Sequence, residues 1–173
     1  MTEGFFSELT GVVVTPFNRR YNNARKERNS AIQKCPLAIV FCRSAFDVSN
    51  AICWCIENSV PFRVRAGRHN YEGYSTGNSV LVIDISRINT LEIDEDAMVL
   101  TVGGGVRNED FYNFISSKGY PFPGGSCPSV GISGYTLGGG WGYSARYLGL
   151  GCDSFIEVEL IDYNGKKLLL IKP

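Results

Sequence analysis

One histidine and one cysteine stand where reactive side chains would be useful. His69 is the only histidine in the chain. It lies in the segment Arg65-Ala-Gly-Arg-His-Asn-Tyr-Glu-Gly-Tyr-Ser75, crowded by glycines, arginines and tyrosines. Cys127 lies in a second segment, Pro121 to Gly142, PFPGGSCPSVGISGYTLGGGWG. A histidine that activates a thiolate is the arrangement of a thiol hydrolase. That chemistry needs the pair packed together beside an oxyanion hole, and nothing in the sequence supplies either. For Cys127 alone, the alternative is a small buried hydrophobe.

The glycines around these residues carry a different message. A backbone without Cβ takes positive φ and approaches a ligand closely, and converging N–H groups then suit an anion. Arg65 and Arg68 add charge of the kind that holds a pyrophosphate. The same features also fit a surface turn with ordinary arginines. In the second segment, Ser133 or Gly134 is placed to begin a short helix facing a phosphate or carbonyl. Gly138-x-Gly140-x-Gly142 is not a dinucleotide fingerprint, because its spacing is wrong and no strand precedes it.

Bulk properties narrow the class. With 17 basic and 17 acidic residues the charge cancels, which argues against a general nucleic-acid binder or an anionic-membrane binder. The run Arg19, Arg20, Arg25, Lys26, Arg28 and Lys34 reads first as a solvated face, and second as a phosphate or partner patch. The N-terminus lacks the basic and apolar regions of a secretory signal, and no apolar run is long enough for a membrane span. The six cysteines have no framework spacing, so a reduced, cytoplasmic protein without a structural metal is expected.

The elements that must position the two segments are read from patterning. Pro36 to Cys42 reads as a buried strand. Ser44 caps a helix over Ala45 to Asn58, with Val48, Ile52, Cys55 and Ile56 on its inner face. Phe62 to Arg65 is a strand that delivers the chain into the histidine segment. Strands come next at Ser79 to Asp84, Leu91 to Asp94 and Met98 to Val102, the last two as a hairpin. A helix covers Arg107 to Lys118 and ends at Gly119, and a strand spans Phe155 to Ile161 before an Asn164-Gly165 turn. Helices and strands mix without a strict βαβ repeat, which predicts an α+β fold.

Taken together, the motifs carry a resemblance. The segment Arg65 to Ser75 resembles the flavin-attachment loop of the FAD-linked oxidases of the vanillyl-alcohol oxidase superfamily, nearest to its berberine-bridge-enzyme-like branch. Gly125 to Gly134 and Leu137 to Gly142 are similar to the second flavin loop of that family, and Arg146 to Asp153 is similar to the stretch just after that loop. The resemblance implies a PCMH-type FAD-binding domain over residues 1–173. A small α/β subdomain would occupy 1–75, and a second subdomain with a mixed or antiparallel sheet 76–173. It implies FAD as cofactor, held bicovalently: His69 on the 8α-methyl and Cys127 on C6 of the isoalloxazine.

The resemblance also implies that Arg65, Gly67, Arg68, Asn70, Tyr71 and Ser75 line the cofactor from the first loop. From the second, Gly125, Val130, Gly131, Gly134, Leu137, Gly138, Gly139 and Gly142 would do so, with Val158 beyond it. The implied reaction is oxidation of an alcohol or carbohydrate by hydride transfer to flavin N5, with reoxidation by oxygen.

Two departures from the family pattern stand out. Arg68 occupies a position that is usually glycine, where it either adds a phosphate contact or disturbs the turn. Family members are also considerably longer, and Leu168 to Pro173 does not match their continuation. The chain is therefore expected to be a truncated N-terminal portion, without the substrate domain or the catalytic base. Two functions are compatible with this. One is the flavin domain of an oxidoreductase; the other is a non-catalytic remnant that binds FAD weakly or not at all and self-associates through uncovered apolar surface.

Overall fold

The computed structural model describes residues 3–172. Its strands are β1 (Val12–Val14), β2 (Ala38–Phe41), β3 (Phe62–Arg65), β4 (Leu81–Asp84), β5 (Leu91–Asp94), β6 (Val99–Val102), β7 (Glu157–Ile161) and β8 (Lys167–Ile171). The helices are α1 (Tyr21–Ala24), α2 (Ala45–Glu57), α3 (Asn108–Ser117), α4 (Ile132–Leu137) and α5 (Ala145–Leu148). This mixture of elements is α+β, as the patterning predicts.

The first sheet has the order β1-β2-β4-β3. Strands β2, β4 and β3 run parallel and β1 joins antiparallel at the edge. A parallel sheet is normally covered on both faces, so its strands are apolar throughout, and the alternation shows how. Ala38, Val40, Leu81 and Ile83 pack against α2 through Val48, Ala51, Ile52, Trp54 and Cys55. Ile39 and Val82 point the other way, onto Val14, Tyr21 and Ala24. The break expected near residue 75 does not divide the sheets, because β4 lies inside the first one, between β2 and β3. Strand β4 pairs with β2 on one side and β3 on the other, and its four residues are all buried.

Helix α2 begins where Ser44 Oγ accepts the Asp47 N–H at 3.2 Å, which satisfies one of the orphan donors of the first turn. Ile56, expected on its inner face, is exposed, while Ala51 and Trp54 are buried. The second unit is built on separate ladders. Hairpin β5–β6 packs with α3 and Ile132 around Val106, Phe111 and Ile115, and β7–β8 forms a second antiparallel pair. Residues 168–171, expected from the sequence to depart from the family's continuation, form most of β8. No described helix is long and apolar enough to cross a membrane.

At the carboxyl ends of the parallel strands, Phe41, Asp84 and Arg65 stand in register. The Arg65 guanidinium is fully buried there. Its Nε and Nη2 donate to Asp84 Oδ2 at 2.9 and 2.7 Å, Nη1 to Glu27 Oε1 at 2.9 Å, and Nη2 to the Ala24 carbonyl at 2.9 Å. Burying a charge is costly unless it is paired, and breaking such a pair costs about 3–5 kcal/mol. Arg65→Leu is expected to lower stability by about that amount in urea unfolding, by leaving Glu27 and Asp84 buried without their cation.

Candidate flavin site

Strand β3 delivers the histidine segment from this anchor. The expectation that the Arg65 side chain faces a pyrophosphate is corrected by its bonds: its donors are directed to Asp84, Glu27 and Ala24 inside the fold. Arg65 positions the loop instead of lining its open side. Arg68 takes φ +62°, the left-handed region where a residue with Cβ is uncommon. The turn that usually holds glycine is therefore kept, with an arginine in it. The Arg68 carbonyl accepts the Arg28 N–H at 2.9 Å, and its guanidinium turns back toward Asp84 Oδ2 at 3.4 Å.

The remainder of the loop is shaped from within. Asn70 Oδ1 accepts the Tyr74 N–H at 2.8 Å, and Ser75 Oγ donates to Glu27 Oε2 at 3.3 Å. Tyr71 is exposed while its carbonyl accepts a bond from Asn29 Nδ2 at 3.2 Å.

The second loop meets the first at Gly131. An ideal Cβ on Gly131 would lie 2.7 Å from the Gly67 nitrogen, and one on Gly67 would collide with the Gly131 backbone. Only a pair of glycines allows the two chains to touch here. Asn108, fully buried at the start of α3, holds the second loop: its N–H donates to the Val130 carbonyl at 2.9 Å and its Nδ2 to the Cys127 carbonyl at 3.2 Å. Tyr112 Oη donates to the Gly125 carbonyl at 2.8 Å. Helix α4 starts at Ile132, one residue before the expected Ser133 and with Gly131 as its cap, and the Ser133 hydroxyl donates to the Gly104 carbonyl at 2.6 Å.

This contact brings the two nucleophiles together through a third residue. Ser129 Oγ lies 2.9 Å from His69 Nε2 and 3.7 Å from Cys127 Sγ. The hydroxyl can donate to one partner and accept from the other. The Cys127 thiol is held below its ordinary value of 9.0, chiefly by the Ser129 hydroxyl and then by the Ser129 N–H. His69 is held below its ordinary 6.5 by burial, with the guanidinium charges of Arg28 and Arg107 adding to it. The imidazole is thus neutral at pH 7, the form that acts as a nucleophile or proton acceptor. Sequence reasoning misses Ser129. Its place between a proline and a valine in the cysteine segment gives no signal, since the partner is 60 residues away.

The other residues implied by resemblance are spread around this point. No other part of the structure lies within 4 Å of an ideal Cβ on Gly134, so its backbone is open to a ligand. Gly138 ends α4, Gly139 has φ +98°, and Leu137 is largely exposed at 76%. A Cβ on Gly142 would meet the Gly124 carbonyl, which makes that glycine a packing requirement. Val158 stands in β7 opposite Leu170. Among the described residues, no group of histidine, cysteine and acidic side chains could hold a metal ion.

Paired glycine loops and the bare backbone at Gly134 suit the close approach of a ligand that carries anionic groups. Comparison with known proteins agrees. Residues 36–170 match the FAD binding domain family, and the chain belongs to it, with homologues among the berberine-bridge-enzyme-like oxidases. An uncharacterized FAD-linked oxidoreductase of Bacillus subtilis, YgaK, is 39% identical over 155 residues, 90% of this chain and 34% of that protein. The structure of the wild-type BBE-like 1 of Physcomitrella patens superposes with a TM-score of 0.92 at 32% identity, over 99% of this chain and 38% of that one. A variant of Phl p 4 described as a glucose oxidase gives 0.87 at 28%, over 96% of this chain and 38% of that one. The chain spans about a third of the length of these relatives.

Two measurements check this geometry. The His69 ring is expected to titrate below 6.5 by NMR, with Arg28→Gln moving its midpoint upward because one opposing charge is removed. The charged ring is the disfavoured form, so the contribution of His69 to stability is complete above its unfolded value and is lost as pH falls from there through the folded one. Gly67→Ala is expected to part the loops, which would return the His69 midpoint toward its ordinary value by exposing the ring, while the Cys127 thiol, held by Ser129 of its own loop, stays low.

Proposed function

We propose that this chain is the FAD-binding unit of an oxidoreductase that removes a hydride from an alcohol or carbohydrate, with dioxygen as the final acceptor, and that FAD is attached through both His69 and Cys127. The observation that carries this reading is the Ser129 hydroxyl within bonding distance of both nucleophiles. When bound, the flavin supplies the hydride acceptor at N5.

The residues of this chain do the rest. Gly67 and Gly131 bring the loops into contact, and the open backbone at Gly134 admits a ligand. Cys127 must lose its proton to become a nucleophile, and the Ser129 hydroxyl within bonding distance stabilises the thiolate, while His69 is nucleophilic only as the neutral imidazole. Asn108 and Tyr112 fix the carbonyls of Cys127 and Gly125, which holds the thiol in place. Fixing a nucleophile near its target replaces a bimolecular encounter with an intramolecular one. The glucose oxidase activity given for the Phl p 4 variant favours a carbohydrate among the alcohols.

The test is the visible spectrum and denaturing mass of the protein expressed with FAD available. Flavin absorbance and the mass of one FAD are expected to remain with the unfolded chain. His69→Ala and Cys127→Ala should each leave a single linkage, and the double variant none. Ser129→Ala should retain both nucleophiles but slow alkylation of Cys127 by iodoacetamide about tenfold near pH 7, since it removes a charge-assisted hydrogen bond to the thiolate. A chain that takes up no FAD would overturn the reading.

One surface favours a second reading, a non-catalytic domain that self-associates. Leu169 and Ile171 on one face of β8 and Leu170 on the other are 52–66% exposed, and uncovered apolar side chains of this kind mark contact sites. Sedimentation velocity separates the two: the second reading requires a dimer or larger species that Leu170→Lys disperses.

A further inference from the structure

The run of chain that carries Cys127 is gripped by the start of α3. That helix has no side-chain cap at Arg107, so its first N–H groups need acceptors from elsewhere. The Asn108 N–H donates to the Val130 carbonyl and the Glu109 N–H to the Pro128 carbonyl, each at 2.9 Å. A single antiparallel bridge, Arg107 to Gly131, continues the contact. Helix and loop thus complete one another's backbone bonding.

Cys127 to Val130 is itself a β-turn with proline in its second position, where such turns favour it. Its closing bond, from the Val130 N–H to the Cys127 carbonyl, is long at 3.4 Å. Asn108 Nδ2 donates to the same carbonyl at 3.2 Å and shares in the closure. The turn folds Ser129 back on the sulfur, with Oγ 3.7 Å from Cys127 Sγ. The Ser129 hydroxyl first, then the Ser129 and Val130 N–H groups, hold the thiol below its ordinary value. Asn108 is fully buried, yet its Oδ1 has no hydrogen-bond partner. A bare buried acceptor is destabilising, and such violations gather where a site demands a particular side chain. The bond to Cys127 is what this amide supplies.

We propose that Asn108 is a positioning residue for the linkage through Cys127: by holding the Cys127 carbonyl it keeps the turn closed, with Ser129 on the sulfur. The linkage itself rests on the two-point attachment proposed above. That step joins Sγ to a ring carbon and delivers the thiol hydrogen, the ring hydrogen and two electrons to dioxygen as hydrogen peroxide. None of the bonds made by Asn108 reaches His69, so the two linkages respond separately to this residue.

The experiment follows iodoacetamide alkylation of Cys127 against pH, read on its peptide by mass, with exposed Cys35 as reference. It uses the full chain made under riboflavin starvation. The charged and titratable groups facing the thiol are Arg28 and, across Ser129, His69, and the variants leave both in place. Asn108→Leu keeps the volume and removes the donor and the bare acceptor together; Asn108→Ala is carried alongside as the smaller replacement. In each variant that unfolds cooperatively in urea, the Cys127 midpoint should rise and alkylation near pH 7 should slow about tenfold, with Cys35 unchanged. When FAD is supplied, the His69 linkage should form as in the parent and the Cys127 linkage about tenfold more slowly. An unchanged Cys127 profile, equal slowing of both linkages, or loss of folding in both variants would each overturn the proposal. If the parent takes up no FAD, the attachment reading falls, and the alkylation profile alone decides the role of Asn108.

Discussion

The buried cation of Arg65 is the constraint on which the rest depends. It sits at the end of β3, where the chain must leave the sheet, and binds Asp84 at the end of β4, Glu27 and the Ala24 carbonyl. A charge removed from water is tolerable only when its donors are met with good geometry, so this one side chain draws three separate stretches of chain to a common point. That junction sets the direction in which the next residues leave the sheet. Gly67 is thereby placed against Gly131, and Arg68 is held in a left-handed turn.

The contact at Gly67 and Gly131 does for the site what Arg65 does for the fold. It joins loops from the two units of the chain at a distance that admits no side chain. Coupling of His69 to Cys127 through Ser129 is a consequence of that approach. Each residue modifies the others: the hydroxyl stabilises the thiolate, while burial and nearby arginines keep the imidazole neutral. The pair that suggested a thiol hydrolase is thus an arrangement of two nucleophiles bridged by one hydroxyl. It is set in a chain that belongs to the FAD binding domain family.

The same row of strand ends has a second consequence. Asp84 compensates Arg65 well and Arg68 poorly, because one carboxylate oxygen faces both. Positive charge is left over on the side of the sheet where Phe41 and Arg87 lie. A chain with no net charge therefore carries a local excess that an average over the sequence conceals. The basic run at residues 19–34 contributes Arg19 and Arg20 to it.

Local patterns were legible wherever the deciding interaction is local. The Ser44 cap, the strand at Ala38, the hairpin at residues 91–102 and the turn at Gly119 depend on residues a few positions apart. The α+β class and both glycine loops were readable for the same reason, and the joint motif pattern carried the family. The sequence also determined which nucleophiles exist, since it offers a single histidine. Tertiary structure alone decided their relation. Strand β4 lies inside the first sheet, between β2 and β3, with its residues buried on both faces. Ile56 falls outside because α2 turns Ala51 and Trp54 inward. Arg65 faces the interior because Asp84 and Glu27 are there to receive it. Ser129 reaches His69 across 60 residues only because two glycines let their backbones meet. Pairings between distant residues depend on how the units pack, and no spacing along the chain encodes that.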